Sequence, residues 1–186
     1  MPCVVLALVI CVGGCAGSWT RPSSLTLRDR ADPAAAELVT YLRLRRVPLA
    51  TIDGGGTRIQ ATAQCRSALI QFMELNHLRM EVCAANIANV NTTRDVDGKP
   101  IPYRRRFIAM TSSGATETRV DDSSYPRRYC PGHPDADAAG FVQYPNVDLA
   151  TEYVNCQEAC RNYELARTIL ERVDRTMVVI SPPTPS

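Results

Sequence analysis

Residues 149–177 read LATEYVNCQEACRNYELARTILERVDRTM, and this stretch decides the fold. Leu149, Tyr153, Cys156, Cys160, Tyr163, Ala166, Leu170, Val173 and Met177 recur at steps of three and four. That is the period of one helix face held in a heptad repeat. Asp148, Glu152, Glu158, Arg161, Glu164, Arg167, Glu171, Arg172 and Arg175 take the other faces. Such a helix has more apolar seam than a small core covers. The seam is therefore expected to meet another helix, from this chain or from a neighbour.

A second helical pattern lies upstream. From Ser67 to Asn89, Leu69, Phe72, Met73, Met80, Cys83 and Ile87 recur at helical spacing, with Asn76 interrupting the stripe. Between the two patterns, residues 98–146 read as strands and turns. Tyr103–Thr111 and Thr116–Val120 suit strands, and Pro126, Pro131, Gly132, Pro134 and Gly140 punctuate the rest. The expected fold is α+β, mainly α. Its long N- and C-terminal helices pair as a coiled-coil-like bundle, with a small β-rich insert in the middle.

The flanks are read separately. Val4–Val12 is an unbroken apolar run of export-signal length, and Val12-Gly13-Gly14-Cys15 is similar to a lipobox that would lipidate Cys15. Against this, the first basic residue is Arg21, so the alternative is a start assigned too far upstream. Asp32-Pro33 suits a helix start, with Leu38, Val39, Leu42 and Val47 following and Pro48 as the stop. Asp53-Gly54-Gly55-Gly56-Thr57 is a turn or linker, since no Lys-Ser/Thr follows to make a phosphate loop. The chain thus divides into a signal-like or mis-started segment (1–17) and an extension or linker (18–64). The first helix with its signature (65–94), the β-rich insert (95–146), the second helix (147–180) and a disordered tail (181–186) follow.

Composition excludes several function classes. A net charge of +2 is too small to point to nucleic acid. No apolar stretch reaches the roughly 20 residues of a spanning helix. Beyond the signal-like segment stand Cys65, Cys83, Cys130, Cys156 and Cys160, with no CxxC pair, so they read as small apolar residues in helix seams. Asp135-x-Asp137 before Gly140 lacks the closing carboxylate of a calcium loop and reads as a turn whose aspartates bond nearby amides. No arrangement of Ser, His, Cys or paired carboxylates assembles into a catalytic set, so no catalytic residue, cofactor or metal is expected.

Two motifs carry a resemblance. The first is Leu78-Arg79-Met80-Glu81-Val82-x-Ala84-Ala85-Asn86-Ile87-Ala88-Asn89-x-Asn91-Thr92-Thr93-Arg94. The second is Pro131-Gly132-His133-Pro134-Asp135-Ala136-Asp137, with Gly140, Val142 and Pro145-Asn146-Val147. Together with Glu152, Ala159, Arg161, Tyr163 and Glu164, they resemble the bacterial flagellar rod and hook axial proteins, and within these the proximal-rod branch. The resemblance covers residues 65–180; residues 1–64 lie in front of it, and Gln71–Asn76 departs from the family pattern.

The resemblance implies a structural protein, not an enzyme: a subunit that polymerises into the axial drive shaft of the motility apparatus. It implies type III export, a rod crossing the periplasm, and a coiled-coil layer of terminal helices. Its partners would be copies of itself, other rod proteins, the export apparatus and the MS-ring region, with no nucleic acid and no small-molecule substrate. A Sec or lipoprotein signal conflicts with that export route. Two other classes stay open: a periplasmic or lipid-anchored protein binding metal through its cysteines, and a secreted hydrolase using His133 and Asp135. Asn86, Asn89 and Asn91 are expected to shape the exit from the first helix and touch neighbouring subunits.

Overall fold

The structure is a computed structural model that describes residues 24–28, 32–52, 56–111 and 115–180. The signal-like segment with Cys15, part of the glycine turn and the proline-rich tail lie outside the described residues, as does the side chain of Met177. The elements are β1 (Ser24–Arg28), α1 (Pro33–Leu44), β2 (Leu49–Ile52), β3 (Gly56–Gln60) and α2 (Ala63–Ala88). Then come β4 (Arg106–Met110), β5 (Thr116–Val120), β6 (Arg127–Tyr129), β7 (Phe141–Gln143) and α3 (Leu149–Ile180). The class is mixed α+β.

Each helix begins where its cap dictates. Asp32 accepts the Ala34 amide at 2.9 Å, with Pro33 in the first turn of α1. Thr62 Oγ1 accepts the Cys65 amide at 3.1 Å and starts α2. Asp148 Oδ2 accepts the Thr151 amide at 3.0 Å and starts α3. α1 ends at Arg45–Arg46, where Arg46 takes a positive φ of 56° and Pro48 follows.

Among its described residues, the stretch read as an extension or linker holds the expected helix, α1, and three strands besides. β1, β3 and β2 form an antiparallel sheet in that order, with Ile59 of β3 opposite Leu25 on one side and Leu49 on the other. Strands of four or five residues, interleaved with Arg, Thr and Gly, carry too few alternations to stand out by period. β4–β5 and β6–β7 are two separate antiparallel hairpins.

The chain divides into two compact units, Met1–Glu74 with Arg161–Ser186 and Leu75–Cys160. In the first, α1 buries Leu38, Val39, Tyr41 and Leu42, and the sheet buries Leu27 and Ile59. There α2 contributes Cys65, Ala68, Leu69 and Phe72, and α3 contributes Leu165, Ala166, Ile169 and Val173. Arg66 meets Asp174 at 2.7 Å and joins α2 to α3 there. In the second unit, α2 buries Leu75, Asn76, Cys83 and Asn86, and α3 buries Glu152 and Ala159. Asn86 meets Glu152 there and joins α2 to α3.

The β6–β7 hairpin turns on one glycine. Gly140 sits at φ +79°, and a Cβ there would lie 2.9 Å from the Tyr129 ring and 3.1 Å from Pro131 Cβ. Strain and clash act together, so Gly140→Ala is expected to cost about 1–2 kcal/mol or more. Urea unfolding of the variant against the parent checks it; an unchanged midpoint would refute the close approach.

Candidate functional site

The least ordinary feature of the second unit is a buried polar cluster centred on Asn86. An amide can make two donor and two acceptor contacts, and Asn86 uses all four. Its Nδ2 donates to the Arg106 carbonyl at 2.8 Å and to Glu152 Oε2 at 3.0 Å. Its Oδ1 accepts the Arg106 amide at 2.9 Å and the Tyr103 hydroxyl at 3.0 Å. Asn86 and Glu152 are both fully buried.

Glu152 needs a counter-charge at that depth. Arg105 provides it, with Nε donating to Oε1 at 2.6 Å. The chain entering β4 is also held from below, because Asn146 Oδ1 accepts the Arg105 amide at 3.0 Å. Asn146 Nδ2 in turn donates to Ser123 Oγ at 2.8 Å and to the Asp121 carbonyl. The cluster therefore ties α2, α3, the entry to β4 and the loop after β5 to one another.

Neighbouring titrations follow from this charge. Burial first, then the Glu152 carboxylate that its thiol hydrogen-bonds, push Cys83 up to about 12. Burial also raises the Tyr103 hydroxyl, against the opposing pull of Arg106. Cys83 thus stays a neutral thiol and fills space, as its place in the seam suggested.

A second tie joins the two motifs. The Thr93 hydroxyl donates to Asp135 Oδ2 at 2.7 Å, and Arg94 pairs with Asp135 Oδ1. His133 Nδ1 accepts the Asp135 amide at 3.1 Å, which fixes the ring inside its own turn. Asp137 accepts the Ala139 and Phe141 amides at 3.0 and 2.9 Å and pairs with Arg127. Only Asp137 therefore does the expected work of a turn aspartate; Asp135 reaches across to the first motif instead. A cavity of about 130 Å³ lies between them, lined by Thr93, Pro100, Asp135, Asp137, Phe141 and Gln143. Among the described residues no group of three or more His, Cys, Asp or Glu could hold a metal ion.

The other sequence-derived residues separate into inward and outward sets. Asn86 points inward, and its amide is used within the chain. Asn89 caps α2 locally, donating to the Ala85 carbonyl and accepting from Thr92, while Asn91 is exposed. Ile87 is half-buried and Ala88 exposed; Pro131, Gly132 and Pro134 are exposed and Pro145 is buried. Along α3, Leu149, Tyr153 and Cys160 are exposed, Cys156, Tyr163 and Leu170 are half-buried, and Val173 is buried. The stripe buried within the chain runs beside the expected seam at Glu152, Ala159, Asn162 and Ile169 and coincides with it at Ala166 and Val173. Arg105 escaped sequence reasoning. It sits in a run of three arginines, which reads as a solvated cluster until the carboxylate opposite is seen.

The Flagella basal body rod protein family model matches residues 66–94, the stretch that carries Asn86, Asn89 and Thr93. The flagellar basal-body rod protein FlgC of Bacillus subtilis is 34% identical over 111 residues, covering 47% of this chain and 74% of that protein. The chain belongs to the FlgC family of flagellar basal-body rod proteins. FlgC of Salmonella typhimurium is 34% identical over 110 residues, covering 54% of this chain and 81% of its own. FlgC of Agrobacterium fabrum is 33% identical over 102 residues, covering 50% and 73%. The protein is a structural subunit of the bacterial flagellar basal-body rod, and these relatives are rod proteins. The buried cluster is accordingly an architectural clamp.

Two predictions test it. Asn86→Ala strands the Arg106 amide and carbonyl and removes a donor from Glu152, so the loss is expected to be roughly 3 kcal/mol or more. Chemical unfolding with an unchanged slope would measure it. Separately, the Thr93 hydroxyl, and then Arg94, hold the Asp135 carboxyl below the usual carboxylate range. A folded pKa below the unfolded one gives stability that is complete above the unfolded value, about 3.9. It is lost as pH falls through the folded value. Thr93→Val should flatten this acid limb; a limb as steep as the parent's would refute the tie.

Proposed function

We propose that the subunit polymerises through its two long helices, with copies of itself and other rod proteins as neighbours, in a coiled-coil-like layer. The observation that supports this is the outward face of α3. Leu149 is 39% exposed and Tyr153 58%, with Cys160 exposed two turns further on the same face. The heptad repeat asks for an apolar partner along this line, and over residues 149–160 the chain's own buried residues of α3 are Glu152 and Ala159, beside it. Apolar side chains clustered on one helix face mark a packing surface for another helix. The family's type III route through the flagellar export apparatus, its crossing of the periplasm and its seat near the MS ring belong to the same reading. A lipid on Cys15 would oppose it, because an anchored chain cannot pass a type III gate.

Tyr153→Asp separates assembly from folding. As an exposed position it should change monomer stability by only about 0.5 kcal/mol. Rod assembly and swimming are expected to fail in a strain carrying it as sole copy. Val173→Asp is the contrast, since it buries a charge and should unfold its unit before assembly is reached. A Tyr153→Asp strain that swims normally would sink the outward-face reading.

A further inference from the structure

The first unit contains a layer that a pair of rod helices does not require. Two antiparallel helices cover each other on one side only, and the remaining apolar sides need a further layer. Here Leu69 and Phe72 of α2 and Ile169 and Val173 of α3 are all fully buried. The extra layer is α1 and the β1–β3–β2 sheet. Tyr41 of α1 packs its ring 5.0 Å from that of Phe72. Asn162 of α3 donates to Glu37 of α1 at 2.6 Å, and Gln64 of α2 donates to the carbonyls of Arg45 and Arg46 at the end of α1. Both long helices are therefore engaged by one module, and that module lies before residue 66, where the family match begins.

We propose that α1 and the β1–β3–β2 sheet form a built-in cover over the α2 and α3 faces of this unit, holding the subunit monomeric until the cover is displaced by neighbouring subunits' helices. This rests on the reading that the long helices pack between subunits. The cover occupies apolar surface of the same two helices, additional to the exposed face at Tyr153. Its displacement leaves Phe72, Leu69, Ile169 and Val173 for helices of like pattern, which a second copy supplies. An uncovered subunit that is the minor form lowers apparent self-affinity by its own fraction. Opening the cover should therefore lower the concentration at which polymers appear.

The test uses the purified full chain and two variants in the α1 face, Leu38→Asp and Tyr41→Ala. Sedimentation follows polymer formation, and far-ultraviolet circular dichroism follows the helices. Polymers of Leu38→Asp are expected at roughly tenfold lower concentration than for the parent, with the helical signal of α2 and α3 retained. A parent that polymerises at the same concentration as Leu38→Asp overturns the cover and leaves the rod-packing reading intact. A helical Leu38→Asp that stays monomeric also overturns it. Should Leu38→Asp lose its helices, Tyr41→Ala decides: an onset below the parent's supports the cover, and an onset equal or higher refutes it. Combining Tyr153→Asp with Leu38→Asp keeps the two readings apart. Loss of polymers in the double variant supports outward-face packing, and their persistence refutes that packing while sparing the cover.

Discussion

The second unit depends on one buried ion pair, Arg105 with Glu152, and on the amide that braces it. A carboxylate with no exposure is tolerable only when every lone pair is used. Asn86 takes one oxygen, Arg105 the other, and Cys83 adds its thiol. The arrangement is also directional. Asn86 reads both the amide and the carbonyl of Arg106, so β4 can leave the helices in only one register. Apolar packing alone would allow that strand to slide.

The same logic explains how the two motifs relate. One closes α2 and the other is the β6–β7 loop, 42 residues apart between Thr93 and Asp135. A hydroxyl and a guanidinium bring them together around a single carboxylate. The loop is held internally by Asp137 and by the glycine at position 140, so the tie acts on a stiff object. Side chains that look like a site for chemistry are engaged by structure: His133 Nδ1 accepts the Asp135 amide, Asp135 meets Thr93 and Arg94, and Asp137 meets two backbone amides and Arg127.

Much of this was legible in the sequence, for physical reasons that can be named. Both long helices announced themselves by period, because a helix of this length samples its period many times. The start of α1 was legible too, since Asp32-Pro33 has few alternative uses. The side of α3 that is buried was not. Leu149 and Tyr153 both outrank Glu152 in hydropathy, yet the charged residue faces inward, because Arg105 and Asn86 wait there. A polar residue's burial is decided by partners far away in sequence, and no local window contains them. The short strands of the first unit failed for the opposite reason: four or five residues hold too little period to be read.

The thiols show what such burial does over time. Cys65 and Cys83 are enclosed and pushed up to about 11 and 12, so at neutral pH almost none of either is thiolate. Thiolate is the species that attacks disulfides and peroxides. A subunit meant to last as long as the structure it belongs to gains from that inertness, because an oxidised sulfur beside Glu152 would add bulk and charge where neither fits. Cys160 is exposed on the single subunit and stands outside the clamp of Asn86, Arg105 and Glu152.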